Sequence, residues 1–344
     1  GLSLAHAARG RPARRCTRTR PRRPARQPRR CSPGRGAAGK TYPADILAAT
    51  DRNATPLVDR TVGETYTERA GILNLGVEGT MYAGAFFGFA VAYQTGDPWI
   101  GLLGAIVVGL IAGALMALMT VTLGANQHVS GLGLTIVLIG LSEFANRMIF
   151  TGGSLPRIEP MGEWDIFGFL PGPLATIAEQ YGLTYLAFFV VVPLAWYVLM
   201  KTPLGLSIRA VGENPEAADV AGINVFRVRY IALMIGGALM AVGGAFITLA
   251  VLGTFTLDII AGRGWVVIAL VIFGRWRIFR GVLGALIFAA VYSLGLRLRI
   301  TPGFEDIPNE VMLALPYLIV ILALALSGRN VPYPGAYLKP YRRS

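Results

Sequence analysis

The sequence predicts an all-α fold, a polytopic transmembrane helical bundle with broken or re-entrant helices. The first observation behind this prediction is composition: 54% of the 344 residues are hydrophobic and only 15% are charged, which is typical of a membrane protein. The second is that the apolar residues form long runs, several of them near the roughly 20 residues that cross a bilayer. The third is the presence of 43 glycines and 21 prolines, because membrane helices carry these residues more often than soluble helices do.

Eight apolar segments are the candidate membrane helices. In chain order they are Gly79–Tyr93, Trp99–Leu123, Val129–Phe150, Leu183–Met200, Tyr230–Leu252, Gly264–Gly274, Gly281–Leu296 and Val311–Leu326. The sixth segment would reach only about 16 Å as a helix, so we expect a half-helix or re-entrant segment there. Small residues recur at every fourth position in three of the segments, which favours close helix packing. These residues are Gly109/Gly113, Ala241/Ala245 and Gly281/Ala285/Ala289.

The positions of Lys and Arg predict the orientation. We place the loop 201–229 in the cytoplasm, because this choice satisfies the positive-inside rule. The other basic residues on that side are Arg275, Arg277, Arg280, Arg329, Lys339, Arg342 and Arg343, whereas the opposite side receives mainly Arg157, Arg263 and Arg299. The long loop Thr151–Gly182 is then outside.

A short capped helix is predicted inside the loop 201–229. Asn214 is a good N-cap, Pro215 fits the first helical position, and Gly222 supplies a left-handed stop. Glu216 and Asp219 add negative charge near the positive end of the helix dipole. The helix would end at residue 221 and be roughly 10 Å long, which is too short to be stable alone. We therefore expect it to dock on a partner, with an ordinary capped cytoplasmic helix as the alternative.

All of the formal net charge of +13 lies in one tail. Residues 1–40 hold 12 Arg, one Lys and no acid, so the rest of the chain is formally neutral. This Arg/Pro-rich stretch has little to bury, so we expect residues 1–43 to be a disordered basic tail. A mistaken start site explains it more economically than a nucleic-acid partner, which we do not expect. Residues 44–328 are then the transmembrane domain, and 329–344 form a cytoplasmic C-terminal tail.

The sequence does not favour an enzyme. Residues 34–41 match the phosphate-loop pattern, but no strand precedes them and Pro43 follows at once, so we expect no ATP site. The two histidines, His6 and His128, have no ligand cluster around them. We therefore predict no catalytic residue, no metal and no cofactor in this chain. Cys16 and Cys31 both lie in the tail, so no disulfide is expected in the body.

Three sequence strings carry a family resemblance. They are TERAGILNLGVEGTMYAGAFFGF at 67–89, ANQHVSGLGL at 125–134 and GENPEAADVAGINV at 212–225. These strings resemble the permease subunits of bacterial ABC importers of the ribose/branched-chain amino acid superfamily. The first is most similar to permeases paired with nucleoside-binding lipoproteins, often called simple-sugar permeases. The resemblance covers about residues 68–328.

The resemblance implies a multi-pass subunit of the bacterial cytoplasmic membrane that alternates its opening while partner ABC ATPase subunits bind ATP and Mg²⁺ and hydrolyse the ATP. It also implies a second homologous permease, giving a heterodimer, an extracytoplasmic substrate-binding lipoprotein, and membrane lipid around the chain. The cargo would be a nucleoside or simple sugar. A branched-chain amino acid permease and an ion-coupled secondary transporter remain alternatives. The residues that would contact the ATPase are Glu213, Asn214, Pro215, Glu216, Ala217, Ala218, Asp219 and Gly222. The acids among them could instead form a solvated face.

Five polar residues are candidates for the substrate path. Asn74 and Glu78 lie in a glycine-spaced string typical of a broken helix, where polar groups inside a membrane are costly and often functional. The alternative is that these two side chains only satisfy backbone groups freed by the break. Asn126, Gln127 and His128 begin another span. A lone histidine at such a position is more often interfacial than substrate-binding.

Two further charged pairs have expected places. Glu143 and Arg147 are spaced i, i+4, which favours an internal ion pair over a substrate role. We expect Asp258 and Arg263 to face an outer vestibule.

One departure from the family stands out. The family opens with hydrophobic stretches before the ERAG string, but Asp51-Arg52-Asn53 and Asp59-Arg60-Thr61 interrupt residues 46–66 here. We therefore expect the first spans to be missing or damaged.

Overall fold

Helices dominate the structure, as the composition predicts. The computed structural model describes residues 42–150, 156–164, 178–257, 259–299, 308–327 and 333–341, all of which belong to one unit, Thr41–Ser344. The predicted tail, residues 1–41, therefore lies outside the described residues. The helices are α1 (Tyr42–Arg69), α2 (Val77–Thr95), α3 (Pro98–Ala117), α4 (Gln127–Ile149), α5 (Gly182–Tyr185), α6 (Val192–Lys201), α7 (Pro203–Glu213), α8 (Pro215–Val220), α9 (Val225–Phe246), α10 (Arg263–Phe273), α11 (Ile278–Leu298) and α12 (Asn309–Ser327).

Short irregular elements complete the chain. Three π-helical turns, Leu118–Thr122, Leu186–Val191 and Ile247–Leu252, extend α3, join α5 to α6 and extend α9. Two short strands, β1 (Glu163–Trp164) and β2 (Gln180–Tyr181), pair antiparallel.

The predicted membrane segments are helical. Among the described residues, five stretches are long and apolar enough to cross a membrane: Pro98–Thr122, Gln127–Ile149, Gly182–Lys201, Val225–Leu252 and Ile278–Leu298. The short segment predicted at Gly264–Gly274 is α10, a helix of 11 residues, so the half-helix prediction is confirmed. The last predicted segment corresponds to a shorter apolar helix, Glu310–Ala325, and the first to α2. The all-α polytopic fold is therefore confirmed.

The first apolar spans expected in the family are missing from residues 46–66 as predicted, since α1 is not among the described helices that are apolar enough to cross a membrane, but the segment is helical. Both charged triplets lie within α1, which runs without a break for 28 residues. The second triplet, Asp59-Arg60-Thr61, is buried inside the bundle, whereas the first, Asp51-Arg52-Asn53, is half-buried. Several polar side chains of α1 also bond back to the helix: the Thr61 hydroxyl donates to the Leu57 carbonyl at 2.7 Å, and Thr65 donates to Thr61 at 2.6 Å. Internal hydrogen bonds of this kind lower the free-energy cost of placing polar groups inside a membrane.

The two ends of the bundle carry residues that the sequence places on opposite sides of the membrane, and which end faces the cytoplasm stays a prediction. Arg69, Arg209 and Arg277 line one pocket at the end that carries the loop 201–229. At the other end, the Arg52 guanidinium forms an ion pair with Glu163 at 2.8 Å, so α1 is tied to the loop predicted to be outside. Of the remaining residues placed in the cytoplasm, Arg329, Arg342 and Arg343 lie outside the described residues.

The predicted small-residue packing joins α3 to α9. A Cβ atom built at Gly109 would lie 2.4 Å from the carbonyl oxygen of Gly237, and one at Gly113 would lie 2.3 Å from that of Leu233. The two backbones can approach this closely only because no side chain separates them. On the next interface, Gly84 of α2 would meet the Ala241 backbone at 2.4 Å.

This close approach predicts opposite effects for one substitution at two glycines. Gly109→Ala should lower the stability of the purified protein by about 1–3 kcal/mol, because the added methyl group must push α3 away from α9. Gly133→Ala in α4 should raise it by about 0.5–1 kcal/mol, because the new methyl group meets nothing within 4 Å and alanine favours helix. Thermal unfolding in detergent measures both. Shifts of the same sign would contradict the proposed packing.

Candidate functional site

The short helix α8 has the caps that the sequence predicts. The Asn214 Oδ1 atom accepts a hydrogen bond from the Ala217 N–H at 3.0 Å, and Pro215 occupies the first turn. Gly222 has φ of +86°, the left-handed conformation that favours glycine at a helix stop. The helix ends at Val220, with Ala221 as its cap, one residue earlier than predicted. The capped helix is thus confirmed, and its contact with an ATPase stays a prediction.

The two faces of α8 differ in burial. Ala218 is buried against the body of the protein, whereas Val220 is 91% exposed. Glu216 and Ala217 are exposed as well. A single exposed apolar side chain is common on protein surfaces, so Val220 indicates a docking surface only together with the family resemblance of the string at 212–225. The outer face of α8 is therefore the candidate docking surface.

Two of the three acids predicted to face the ATPase are bound within the chain. The Glu213 Oε2 atom accepts a hydrogen bond from the Gly335 N–H at 3.2 Å, and the Asp219 Oδ2 atom accepts one from the Tyr341 hydroxyl at 3.0 Å. The exposed Glu216 side chain makes no hydrogen bond or ion pair with any described residue. Of the three, Glu216 is therefore the acid left open to a partner.

The C-terminal segment, residues 333–341, ties together the elements that are predicted to be cytoplasmic. The Ala336 N–H donates to the Gly212 carbonyl of α7 at 2.9 Å, and the Leu338 N–H donates to the Gly71 carbonyl in the loop after α1 at 3.2 Å. The ring of Trp276, in the turn between α10 and α11, packs against the Tyr333 ring, with the two ring centroids 5.0 Å apart. The predicted cytoplasmic tail is thus, over these residues, a packed part of the body.

The same segment covers two buried carboxyl groups of α1. Glu64 and Glu68 are both fully buried, and the Trp276 indole N–H donates to the Glu68 Oε2 atom at 2.6 Å. Tyr337 lies close to both, and burial, with these two acids nearby, raises the pKa of the Tyr337 hydroxyl. The C-terminal segment therefore shields the cytoplasmic end of α1 from water.

Asn74 shapes the loop between α1 and α2. Its N–H donates to the Glu64 Oε1 atom at 3.0 Å, and its Oδ1 atom accepts from the Gly76 N–H at 3.0 Å. Its side chain is buried. The side chain thus satisfies backbone groups of the break, which is the alternative reading that the sequence left open. Contact of Asn74 with cargo stays a prediction.

Glu78 holds the first turn of the half-helix α10. Its Oε1 atom accepts from the Gly262 N–H at 2.8 Å, and its Oε2 atom accepts from the Gly264 N–H at 2.6 Å. The negative charge thus lies at the positive end of the helix dipole. Without this carboxylate, the first N–H groups of α10 would be left unpaired inside the bundle.

The three candidates at the start of α4 do not converge on one point. The Asn126 side chain caps α4 by accepting from the N–H groups of His128 and Val129 at 2.9 and 3.3 Å. Gln127 is buried, and its Oε1 atom accepts from the Leu73 N–H at 2.9 Å. His128 is exposed. Gln127 alone contacts the loop that holds Asn74.

A small cavity that the sequence did not predict lies between α1, α10, α11 and α12, with both apolar and polar residues in its lining. Arg60, Arg263, Tyr292 and Tyr317 line it together with Asn53. Its free volume of about 20 Å³ holds about one water molecule. The cavity is therefore closed to any larger molecule in this conformation.

The two arginines of the cavity differ in their partners. Arg60 is fully buried, its Nε–H donates to the Pro56 carbonyl, and its Nη1 and Nη2 atoms have no hydrogen-bond partner among the described residues. The Arg263 Nη2 atom donates to the Tyr292 hydroxyl at 2.7 Å. Arg263 thus faces the cavity rather than the outer vestibule expected from the sequence, because it begins the half-helix α10 inside the bundle. Asp258, its predicted companion, lies outside the described residues.

The predicted pair Glu143–Arg147 is present but weak. Its nitrogen and oxygen atoms are 3.9 Å apart, and 76% of the Arg147 side chain is exposed. Such exposed pairs contribute little to stability.

Comparison with known proteins gives the family. The model of the family described as branched-chain amino acid transport system / permease component matches residues 54–324. The chain belongs to this family. With its five candidate spans, this permease is a multi-pass protein of the cytoplasmic membrane.

Relatives resemble the permease over most of its length. It is 36% identical over 281 residues to the nucleoside ABC transporter permease protein NupC of Lactococcus lactis subsp. cremoris, covering 79% of this chain and 89% of that one. It is 35% identical over 306 residues to the guanosine ABC transporter permease protein NupQ of Bacillus subtilis, covering 86% and 96%. It is also 28% identical over 282 residues to the glucose ABC transporter permease protein TsgB13 of Haloferax volcanii, covering 78% and 74%. No solved structure matches the permease with comparable significance.

Proposed function

We propose that this permease is the membrane subunit of an ABC importer that carries a nucleoside or a simple sugar into the cell. The observation that carries the proposal is the exposed outer face of α8, with Val220 at its tip. The names of the relatives support the cargo class, since they include nucleoside, guanosine and glucose permeases. ATP and Mg²⁺ bind the partner ATPase, and this chain contributes neither a cofactor nor a catalytic residue.

The exposed face of α8 suits a preformed groove on an ATPase subunit. Val220 supplies an apolar contact, and Glu216 supplies a negative charge that no described residue neutralises. Because α8 is short and capped at both ends, it moves as a rigid unit. Its buried residue Ala218 transmits that movement to the body of the permease.

An uncharged polar cargo suits the interior cavity. The unpaired nitrogen atoms of Arg60 are donors for hydroxyl or carbonyl oxygen atoms, and the ring of Tyr292 offers an aromatic surface. Asp59 and Glu78 act electrostatically on Arg60 and offset part of the positive charge of Arg60 and Arg263. The cavity must widen for cargo to pass, and the ATPase supplies that step.

Two further partners complete the importer. Bacillus subtilis has two guanosine ABC transporter permease proteins, NupQ and NupP, which are 35% and 26% identical to this chain. Two similar permeases with one named cargo support a heterodimer of homologous permeases. We propose that an extracytoplasmic lipoprotein delivers the cargo, because the string at residues 67–89 resembles permeases that are paired with nucleoside-binding lipoproteins.

Reconstitution tests the proposal. The permease, its ATPase, the second permease and the lipoprotein are placed in liposomes, and uptake of labelled guanosine, glucose and leucine is measured. We expect uptake of guanosine or glucose that needs ATP, stops with vanadate and persists when ionophores collapse ion gradients. Uptake of leucine alone would indicate an amino acid permease. Uptake driven by an ion gradient without ATP would indicate a secondary transporter.

A further inference from the structure

A basic pocket lies at the cytoplasmic end of the bundle, away from the candidate path. It is formed where the ends of α1 and α6, the helix α7 and the start of α11 meet, and its volume is about 540 Å³. Four arginines line it together with two aromatic side chains. These residues are Arg69, Arg209, Arg277, Arg280, Trp196 and Phe279.

The positive charge of this pocket is largely unpaired. The Arg69 Nε–H donates to the Trp276 carbonyl at 3.0 Å, and the Arg209 Nε–H donates to the Gly205 carbonyl at 3.3 Å. Arg277 and Arg280 are exposed, and their side chains make no hydrogen bond or ion pair with any described residue. Four cations thus converge with most of their donors free for an anion.

One acid offsets part of this charge. The carboxylate of Glu213 attracts the Arg69 guanidinium, whereas the guanidinium groups of Arg209 and Arg277 repel that of Arg69. Glu213 is also engaged by the Gly335 N–H. Since four arginines face only this one carboxylate, the pocket has an excess of positive charge.

The pocket opens onto apolar faces of two candidate membrane spans. The rings of Trp196 in α6 and Phe279 in α11 pack together with their centroids 5.9 Å apart, and they bridge the two helices. Further along the same helices, Leu194 and Leu283 are exposed. Such side chains face lipid tails in a membrane protein. The surface is thus basic at the membrane boundary and apolar beside it.

We propose that this arginine pocket binds the head group of an anionic phospholipid of the cytoplasmic leaflet. The phosphate accepts hydrogen bonds from the four guanidinium groups, and the acyl chains lie along the exposed faces of α6 and α11. The charge selects an anionic head group, and basic pockets of this kind between helices on the cytoplasmic side suit one. A free phosphate ion would use the arginines alone and leave the apolar faces without a role. The bound lipid ties α7, which leads directly into α8, to the membrane boundary.

Lipid binding to the purified full chain tests this proposal. The permease is stripped of lipid in detergent and mixed with dioleoylphosphatidylglycerol, dioleoylphosphatidylcholine or inorganic phosphate. Native mass spectrometry counts bound lipid, and thermal unfolding reports the gain in stability. We expect retained phosphatidylglycerol and a raised Tm, with little effect from phosphatidylcholine or phosphate.

Two matched variants locate the site. Arg277→Gln/Arg280→Gln removes two exposed charges whose side chains make no hydrogen bond or ion pair with a described residue, so the fold should persist. Each arginine near an anionic head group strengthens binding about fivefold, so the pair should weaken it roughly 25-fold. Arg147→Gln/Arg157→Gln removes two charges at the opposite side and should bind like the unmodified chain.

Several results would overturn the proposal. Equal weakening in both double variants would mean that binding follows net charge alone. Unchanged binding in the Arg277→Gln/Arg280→Gln variant would place the lipid elsewhere. A rise in Tm with inorganic phosphate equal to that with phosphatidylglycerol would identify a phosphate site instead.

Discussion

A Glu216→Arg/Gly222→Val double variant is expected to keep its membrane fold and lose productive contact with its ATPase, with cargo uptake falling at least about tenfold. Gly222 has φ of +86°, where a β-branched residue costs about 1–2 kcal/mol. Nothing lies within 4 Å of a Cβ atom built there, so the penalty is conformational and local. Glu216→Arg adds a positive charge at the positive end of α8 and against the partner. Together these losses of about 2–3 kcal/mol correspond to the expected tenfold or greater effect.

The measurements are co-purification of the ATPase and cargo-stimulated ATP hydrolysis in the reconstituted complex. The matched control is Glu159→Arg/Gly96→Val on the outer side. Gly96 also has positive φ, +75°, and open space around it, so its backbone penalty is the same. The control should retain both activities. If the α8 variant also retained both at the unmodified level, α8 would not be the coupling element.

Local sequence rules predicted the elements whose structure depends on their own residues. Long apolar runs identified the membrane helices because a helix in lipid must be apolar along most of its length. The caps Asn214 and Gly222 defined α8 because capping involves only neighbouring residues. The short length of the segment after Gly262 was enough to predict the half-helix α10.

The helix α1 could not be identified in this way. Its charged residues argue against a membrane helix when each side chain is judged alone. In the structure Asp59, Arg60, Glu64 and Glu68 are buried against other helices. The half-buried Asn53 side chain donates to the Ser293 hydroxyl of α11 at 2.9 Å. A hydropathy average over neighbouring residues does not include such partners, because they lie far away in the sequence. The charged residues of α1 could nevertheless have indicated a functional element, since ionisable residues inside a membrane bundle are usually functional.

The cavity and the C-terminal segment were missed for a related reason. Arg60 and Arg263 come from helices about two hundred residues apart in the chain, and only the fold brings them to one cavity. The tail after α12 is short, polar and aromatic, which predicts a solvated end. Its docking depends on the shape of the surface formed by Gly212, Gly71 and Trp276 together. A pattern of single residues cannot describe that surface.

A Gly335→Val substitution is expected to detach the C-terminal segment and to disturb α8 from a distance. A Cβ atom at Gly335 would lie 2.5 Å from the carbonyl oxygen of Glu213, so valine must push residues 333–341 away from α7. Displacement of this kind costs about 1–3 kcal/mol, which shifts a docking equilibrium roughly 5- to 150-fold. Glu213 and Asp219 then lose their partners in the segment, and α8 loses the tie that Tyr341 supplies.

Hydrogen exchange measures this detachment directly. Amide protection at Ala336 and Leu338, whose N–H groups donate to Gly212 and Gly71, should fall by the same factor as the docking equilibrium. Cargo-stimulated ATP hydrolysis should fall with it, because α7 and the loop at Gly71 are no longer held together. The control is Gly162→Val on the outer side, where the new side chain meets nothing within 4 Å and both readings should be unchanged. Full protection of Ala336 in the Gly335→Val variant would contradict the docked position, whereas lost protection with normal ATP hydrolysis would mean that the segment stabilises the fold without taking part in coupling.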